Sequence, residues 1–471
     1  MDSTIVTEIK LELEELLRRS LIEEYHNEEV ASISLLDCYK DLIASSQLKA
    51  KVVLESGNVL NVFLKILSKS CPLYGADKTL KIFEREHMMY ELLKDMADFQ
   101  EGCFRTSHNQ IISIKNMFPK YYGRVVVKDV LYLVMEDFIT GQGFSVTAKE
   151  AFHTLEQVKS VMISLGTFHA TSFAMKDMKN PVPINFREKH PLLECMLTAP
   201  QNEDVISSFT TKSYIHNVNI LEAVTKALAN NDLIAHNKIK SRCRTEEILR
   251  LKAMAPHLLK IMHRVQSPKE PGALVTHGDF HAFNIAFAKE TVKFFDLQVS
   301  RYSSGMIDIH HYISQTTTPE FRAVYLPEIL SAYLNSFNNF CSIAGVSPLF
   351  NNVSDIMNEY LAKAPWGLFC GLCWIFWRFV ENFEVFKKTA EMLGIEKGVI
   401  FEVVDEAGAK RDYESDCKDV NIMAELDKCG GRIWWGVQVL LDLVEEMTNQ
   451  GTIDIMECIY NDILKSEKET F

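Results

Sequence analysis

Basic residues are in deficit, with 50 Lys and Arg against 63 Asp and Glu and a net charge of −13. A phosphate backbone is gripped by a concentrated cationic face, so nucleic acid is not an expected partner, and an anionic membrane surface is disfavoured for the same reason. Long apolar runs are missing too. The longest, Ala364–Trp377 between Lys363 and Arg378, falls short of the ~18–20 residues that span a bilayer and predicts a buried core helix. Met1–Arg19 is acidic and amphipathic, without the apolar stretch of an export leader. The 11 cysteines are odd in number and scattered, which reduced thiols in a cytoplasmic setting explain better than disulfides do. A single C-x-x-C, Cys370 and Cys373, lies inside the apolar run with no second pair or histidine pair at zinc spacing, so two core thiols are expected rather than a metal module. There is no repeat of fixed period and no low-complexity tract, and nothing implies an obligate protein partner. Glu402–Asp419 is polar and reads as a surface loop.

What is present has the balance of a globular protein, 47% hydrophobic and 24% charged, so packed elements are sought throughout. From Ser32 to Leu67 the pattern is strand-like, in I-S-L-L-D-C-Y, L-K-A-K-V-V-L and V-L-N-V-F-L-K-I-L, with E-S-G-N as a turn between the last two. Lys78–Met96 then places Leu80, Phe83, His87, Tyr90 and Leu93 at helical spacing. Phe118–Tyr122, Arg124–Lys128 and Val130–Met135 read as two further strands, closing on E-D and then Gly141 and Gly143. Beyond Thr147 the periodicities are helical, Leu155, Val158, Met162, Leu165, His169 and Ser172 sharing one face. The expected architecture is α+β in two lobes, a small amino-terminal one over 1–138 with an antiparallel sheet and one main helix, and a large helical one over 139–471. One β-rich interruption breaks the helical part, G-A-L-V-T-H-G-D-F-H-A-F-N-I-A-F followed by V-K-F-F-D-L-Q.

That interruption carries the chemistry. Asp279, Asn284 and Asp296 form the inventory that phosphoryl transfer needs: a carboxylate to orient a hydroxyl and accept its proton, and hard oxygen ligands for a magnesium ion on the phosphates. Asp279 suits the first task, Asn284 and Asp296 the second. Lys65, a charge interrupting V-F-L and I-L, has no reason to be buried without a partner. It suits the α- and β-phosphates of ATP, with Glu86 as the helix carboxylate that fixes it and Glu84 as a less well-placed alternative. The main chain of Glu136–Phe138, in L-V-M-E-D-F, falls where the lobes would join and where adenine would pair. No G-x-G-x-x-G occurs between the first two strands. Its substitute is Asp41–Gln47, whose amides and the hydroxyls of Ser45 and Ser46 either cover the phosphates or form an inert turn. His169, on an apolar helix face, reads as a hydrogen-bonded core histidine, and His277 as a brace for the loop. Asp308 is open to a structural or a direct role.

The order of these residues resembles the H-R-D, Asn and Asp arrangement of protein kinases. The His277-Gly278-Asp279 form is similar to that of the aminoglycoside phosphotransferase and choline kinase branch, and no A-P-E follows it. With V-F-L-K-I-L, F-E-R-E-H-M-M-Y, L-V-M-E-D-F, L-G-T-F-H-A-T-S-F-A, T-H-G-D-F-H-A-F-N and F-D-L-Q, the stretch from Ser32 to Tyr312 resembles the ecdysteroid kinase-like family. That resemblance implies a protein-kinase-like fold and an ATP- and magnesium-dependent kinase. Its acceptor would be an ecdysteroid or a hydroxylated xenobiotic, a small, apolar, hydroxylated molecule. The sequence departs from the family pattern at His281, where many members carry tryptophan, in D-L-Q for the commoner D-F-Q, and in a long tail after Glu396. An aromatic segment, Trp366–Phe379, has the composition of a steroid pocket and equally of a core. Competing readings are a kinase for a cationic molecule, choline- or aminoglycoside-like, and a non-catalytic nucleotide- or steroid-binding pseudokinase.

Overall fold

The computed structural model describes residues 3–21, 28–40, 46–67, 80–104, 112–148, 151–177, 183–194, 211–229, 244–289, 291–374 and 437–469. It opens with helix α1 (Ser3–Leu21) and strands β1 (Val30–Lys40), β2 (Ser46–Leu54) and β3 (Val59–Leu67). Helix α2 (Ile82–Phe104) follows, then β4 (Tyr121–Val127) and β5 (Val130–Glu136). The five strands make one antiparallel sheet in the order β1-β2-β3-β5-β4.

Alternation along β3 decides what the sheet can do. Val62, Leu64 and Ile66 point to one face and join Ile9, Leu13 and Leu17 of α1 in a buried cluster, so the amphipathic amino-terminal helix covers the back of the sheet. Phe63, Lys65 and Leu67 point to the other face, toward α2 and the helical part of the chain. The strand β4 carries a register shift between Tyr121 and Gly123, where Gly123 adopts φ 140°. A Cβ there would sit 2.7 Å from the Leu16 side chain, so the glycine lets α1 approach.

Helix α3 (Leu155–Met175) starts at Thr154 with a reciprocal capping box to Gln157 and is buried along most of its length. After α4 (Lys212–Ala229), α5 (Thr245–Met254) and α6 (Leu258–Gln266) comes the β-rich interruption. Its strands β6 (Ala273–Thr276) and β9 (Arg301–Ser304) pair with each other, while β7 (Ile285–Ala288) pairs with β8 (Thr291–Phe294) and with the short strand Ser145–Val146. Thus the 277–284 loop hangs between the two small sheets, and residues 295–300 lead back from β8 to β9. Helices α7 (Met306–Thr316), α8 (Pro319–Ile343) and α9 (Val353–Trp374) pack beneath.

The run expected to form a core helix does so as far as Trp374: Ala364 to Cys373 is buried in α9, and Cys370 and Cys373 are free thiols. The rest of that run, and Glu402–Asp419, lie outside the described residues. Helices α10 (437–449) and α11 (Thr452–Glu469), from the long tail, enclose α9 in a second core with α4 to α6. Arg322 of α8, 1% exposed, donates to the Glu446 carboxylate of α10 at 2.9 Å and to the Thr317 carbonyl at 2.6 Å. Among the described residues no helix is long and apolar enough to cross a membrane.

Candidate active site

Lys65 is brought to its inward position by the pleat, and its ammonium lies 2.7 Å from Glu86 Oε2 and 2.7 Å from Asp296 Oδ1. Glu86 is 1% exposed on the buried face of α2, whereas Glu84 is exposed on the opposite side and takes no part. Burial works against the Lys65 charge, but Asp296 and Glu86 outweigh it and raise its pKa. Burial pushes the Glu86 carboxyl up to about 7 against the pull of Lys65. The lysine is therefore a cation shared between α2 and the segment after β8. Gln298, two residues beyond Asp296, completes the group: its amide nitrogen donates to Asp296 Oδ2 at 3.4 Å, and its oxygen accepts from Lys65 at 3.4 Å.

Asp279 lies on the 277–284 loop with 28% of its side chain exposed. The loop is built from a chain of buried hydrogen bonds. Tyr333 meets Nδ1 of His169 at 3.0 Å, and Nε2 of His169 meets Asp308 Oδ2 at 3.1 Å. Asp308 then accepts from the backbone amides of His277 at 2.7 Å and Gly278 at 2.9 Å. Burial raises the Asp308 pKa, but the His169 contact and these amides win and leave it lowered. His169 is thus the expected hydrogen-bonded core residue, and the geometry gives Asp308 the structural one of its two readings.

Gly278 explains why this sequence reads H-G-D. Its φ is 88°, and a Cβ would fall 2.0 Å from the Val299 carbonyl oxygen, closer than any contact tolerates. Gly278→Ala is expected to destabilise the fold by at least ~2 kcal/mol through strain of this kind. Chemical denaturation measures it; an unchanged midpoint would show that the loop does not need this approach.

The two functional loops are tied together. His277 donates from Nε2 to the Phe295 carbonyl at 2.9 Å, and its tautomer follows from the Asp279 amide, which points at Nδ1. The Phe295 amide donates to the Asn284 carbonyl at 3.1 Å. Asp279 and Asp296 therefore border the same space, and His277 is a brace between their loops. Asn284 Nδ2 donates to the Asp279 carbonyl at 2.9 Å and to Asp279 Oδ2 at 3.3 Å, which leaves the amide oxygen turned away from that loop's carboxylate. Asp296 adopts φ 67°, a left-handed conformation that a non-glycine residue holds only where its surroundings enforce it. Burial opposes the charge of Asp279, but His281, His311 and His277 outweigh it and hold the carboxyl well below the usual carboxylate range.

A carboxylate oxygen of Asp296 and the amide oxygen of Asn284 are hard donors on adjoining loops, a set that fits magnesium sharing the rest of its shell with phosphates and water. No group of three His, Cys, Asp or Glu among the described residues is arranged to hold a metal by itself.

Residues 42–346 match the ecdysteroid kinase-like family. The chain belongs to that family. The match starts later than Ser32 and runs past Tyr312 through α8. Among curated proteins none matches the chain. Solved structures with a similar course include choline kinase from Cryptosporidium parvum Iowa II, at 12% identity and TM-score 0.40, covering 82% of this chain and 93% of that one. An amicoumacin kinase, at 11% identity and TM-score 0.35, covers 85% and 87% respectively. Plasmodium vivax ethanolamine kinase, at 12% identity and TM-score 0.33, covers 79% and 82%. The assignment rests on the family match, and the protein-kinase-like α+β architecture of this ecdysteroid kinase-like protein is carried by its own sheet, α2 and helical region.

Two expectations change shape, and a third, the serine pair, falls largely outside the described residues. The Glu136 and Asp137 amides already donate to the Lys120 and Asn61 carbonyls, each at 2.8 Å, so of the Glu136–Phe138 segment they are not free to meet a base. The Phe138 ring is buried against Phe144 and Phe295. Ser45 lies outside the described residues, and Ser46 opens β2 opposite Lys40 and Ile66. The described part of the aromatic segment is core: Trp366 is 1% exposed and lies against the Arg301 guanidinium, 5.1 Å from its centroid. Sequence reasoning missed Gln298 and His311. Gln298 is signalled by F-D-L-Q itself, whereas His311 sits in M-I-D-I-H-H-Y, where every residue is buried and no pattern singles it out.

Proposed function

We propose that this protein transfers the γ-phosphoryl group of ATP to a hydroxyl of a small molecule. The observation that carries the reading is the Lys65 ammonium, held at 2.7 Å from both Glu86 and Asp296 and so joining the sheet, α2 and the segment after β8. Two carboxylates meet one ammonium here, one more than neutralises it, so the pair with Glu86 would be enough for burial alone. Phosphate groups of a nucleotide are the natural third partner. In this reading 1–138 is the nucleotide lobe and 139–471 the acceptor lobe. The Phe138 amide and the nearby carbonyls remain for adenine; residues 41–45 of the segment expected to cover the phosphates lie outside the described residues.

Asp296 and Asn284 would hold magnesium, which neutralises charge on the β- and γ-phosphates when bound. Asp279 accepts a hydrogen bond from the acceptor hydroxyl and aims its oxygen at the γ-phosphorus. As the new O–P bond forms and the bond to the β-phosphate oxygen breaks, the hydroxyl proton passes to Asp279 and ADP departs. The histidines around Asp279 make it a weak base, which suits a loose transition state in which the proton moves late.

The acceptor we propose is an ecdysteroid or a hydroxylated xenobiotic, met in the cytoplasm; membership of the ecdysteroid kinase-like family supports this reading. Incubation with radiolabelled ATP, magnesium, and ecdysone or choline as acceptor tests both. Label on ecdysone alone is the expected result. Label on choline alone would replace the acceptor class, and no label on either, with no ATP hydrolysis, would leave a nucleotide-binding protein without turnover.

A further inference from the structure

Helix α7 acts twice on the Asp279 loop. Asp308 clamps the loop's backbone, and one turn later His311 turns its ring to the carboxylate itself, with Nε2 3.8 Å from Asp279 Oδ1. This separation is longer than a hydrogen bond. Neither ring nitrogen of His311 has a hydrogen-bond partner, although only 4% of the side chain is exposed. Burial pushes its pKa down to about 3, so the ring is neutral and carries one donor and one acceptor, both unmet.

The other oxygen of Asp279 is in a different position. Oδ2 meets Asn284 Nδ2 at 3.3 Å and His281 Nε2 at 3.5 Å. His281 Nδ1 accepts the Phe283 amide at 3.2 Å, and its Nε2 lies between Asp279 Oδ2 and Asn284 Nδ2, 3.3 Å from the latter. His311 is held in place from behind by the edge-on Trp366 ring, 6.3 Å between centroids, and Trp366 in turn lies on Arg301. The imidazole thus sits between the Trp366 ring and the His281 ring, 5.8 Å from the latter between centroids, buried and unsatisfied, with Asp279 Oδ1 in front of Nε2. A carboxylate pulls the proton of a neutral imidazole to the nearer nitrogen, here Nε2.

Resting on the phosphotransferase reading, we propose that His311 is a positioning residue for Asp279, whose Nε2–H takes Oδ1 once nucleotide is loaded. A shift of about 1 Å closes the gap to a normal N–H···O distance. The carboxylate is then fixed between His281 and His311, with its remaining lone pairs left for the acceptor hydroxyl.

His311→Phe and His311→Gln test this together. Phenylalanine keeps the ring's volume and removes both unmet nitrogens, so its thermal midpoint should equal or exceed that of the native protein. Its kcat should fall about 10- to 100-fold, as misplacement of a reacting group by an ångström does, with KM for ATP unchanged. Glutamine carries an N–H near the place of Nε2 and should restore most of the rate. The inference is overturned if the Phe variant turns over at the native rate, if Gln is as slow as Phe, or if lost activity merely follows a lowered midpoint. A crystal structure with magnesium and a non-hydrolysable ATP analogue gives a readout independent of turnover: Nε2 and Oδ1 within ~3.2 Å supports it, and a separation still at 3.8 Å or more overturns it. Should the native protein neither transfer phosphate nor hydrolyse ATP, the phosphotransferase reading fails, and the loaded structure still decides the role of His311.

Discussion

Asp279→Asn slows phosphoryl transfer by about 10³-fold, in the range lost when a positioned general base is removed. Asparagine has nearly the same shape and can still meet Asn284 and His281, so the loop keeps its course. Asp308, His277 and Gly278 hold that loop through the backbone and owe nothing to the Asp279 charge. What disappears is the anion that orients the hydroxyl and the place where its proton goes. Affinity for ATP is expected to change by less than about threefold, because Lys65 and Asp296 remain. Steady-state kinetics beside nucleotide titration check both halves. Transfer at the native rate would end the assignment of Asp279 as the reacting carboxylate.

Asp296→Asn separates the metal from the fold. Asparagine is among the few residues that accept the left-handed φ of 67° found here, so the backbone is not the cause of any defect. Lys65 keeps Glu86 as a buried partner, and the ion pair that matters most for burial survives. The lost negative charge is the one that would hold magnesium, so turnover falls about 100-fold or more at a fixed low magnesium concentration. The magnesium needed for half-maximal rate rises at least about tenfold, as expected when a site loses its one carboxylate. Circular dichroism should be unchanged. A magnesium requirement equal to that of the native protein would show that Asp296 binds Lys65 only.

Much of this arrangement was legible in the sequence, and particular residues show why. Lys65 stood out because a charge in V-F-L-K-I-L has no apolar reason to be there, and Glu86 was separated from Glu84 by the helical face it shares with Tyr90 and Leu93. The strands of the sheet follow from alternation and turn residues, and α2 follows from its period, since Glu84 and Glu91 mark an exposed face opposite its buried one. Helix α7 has no such contrast. All its residues are buried, so His311 is invisible to periodicity although it faces the carboxylate. The Glu136 and Asp137 amides illustrate a second limit, because their partners, Lys120 and Asn61, are set by how strands end and not by residue type. Trp366 shows a third: a pocket wall and a core have the same composition, and only burial tells them apart.

The enclosure of α9 by α10 and α11 bears on the order in which this chain matures during synthesis. The sheet and α1 can consolidate as soon as they leave the ribosome, since the core they share lies within the first third of the chain. Helix α9, which backs His311 through Trp366, keeps an uncovered apolar flank until residues 437–469 emerge. The nascent protein would thus hold a finished half and an unfinished one, and competence for chemistry would arrive only with the last helices made.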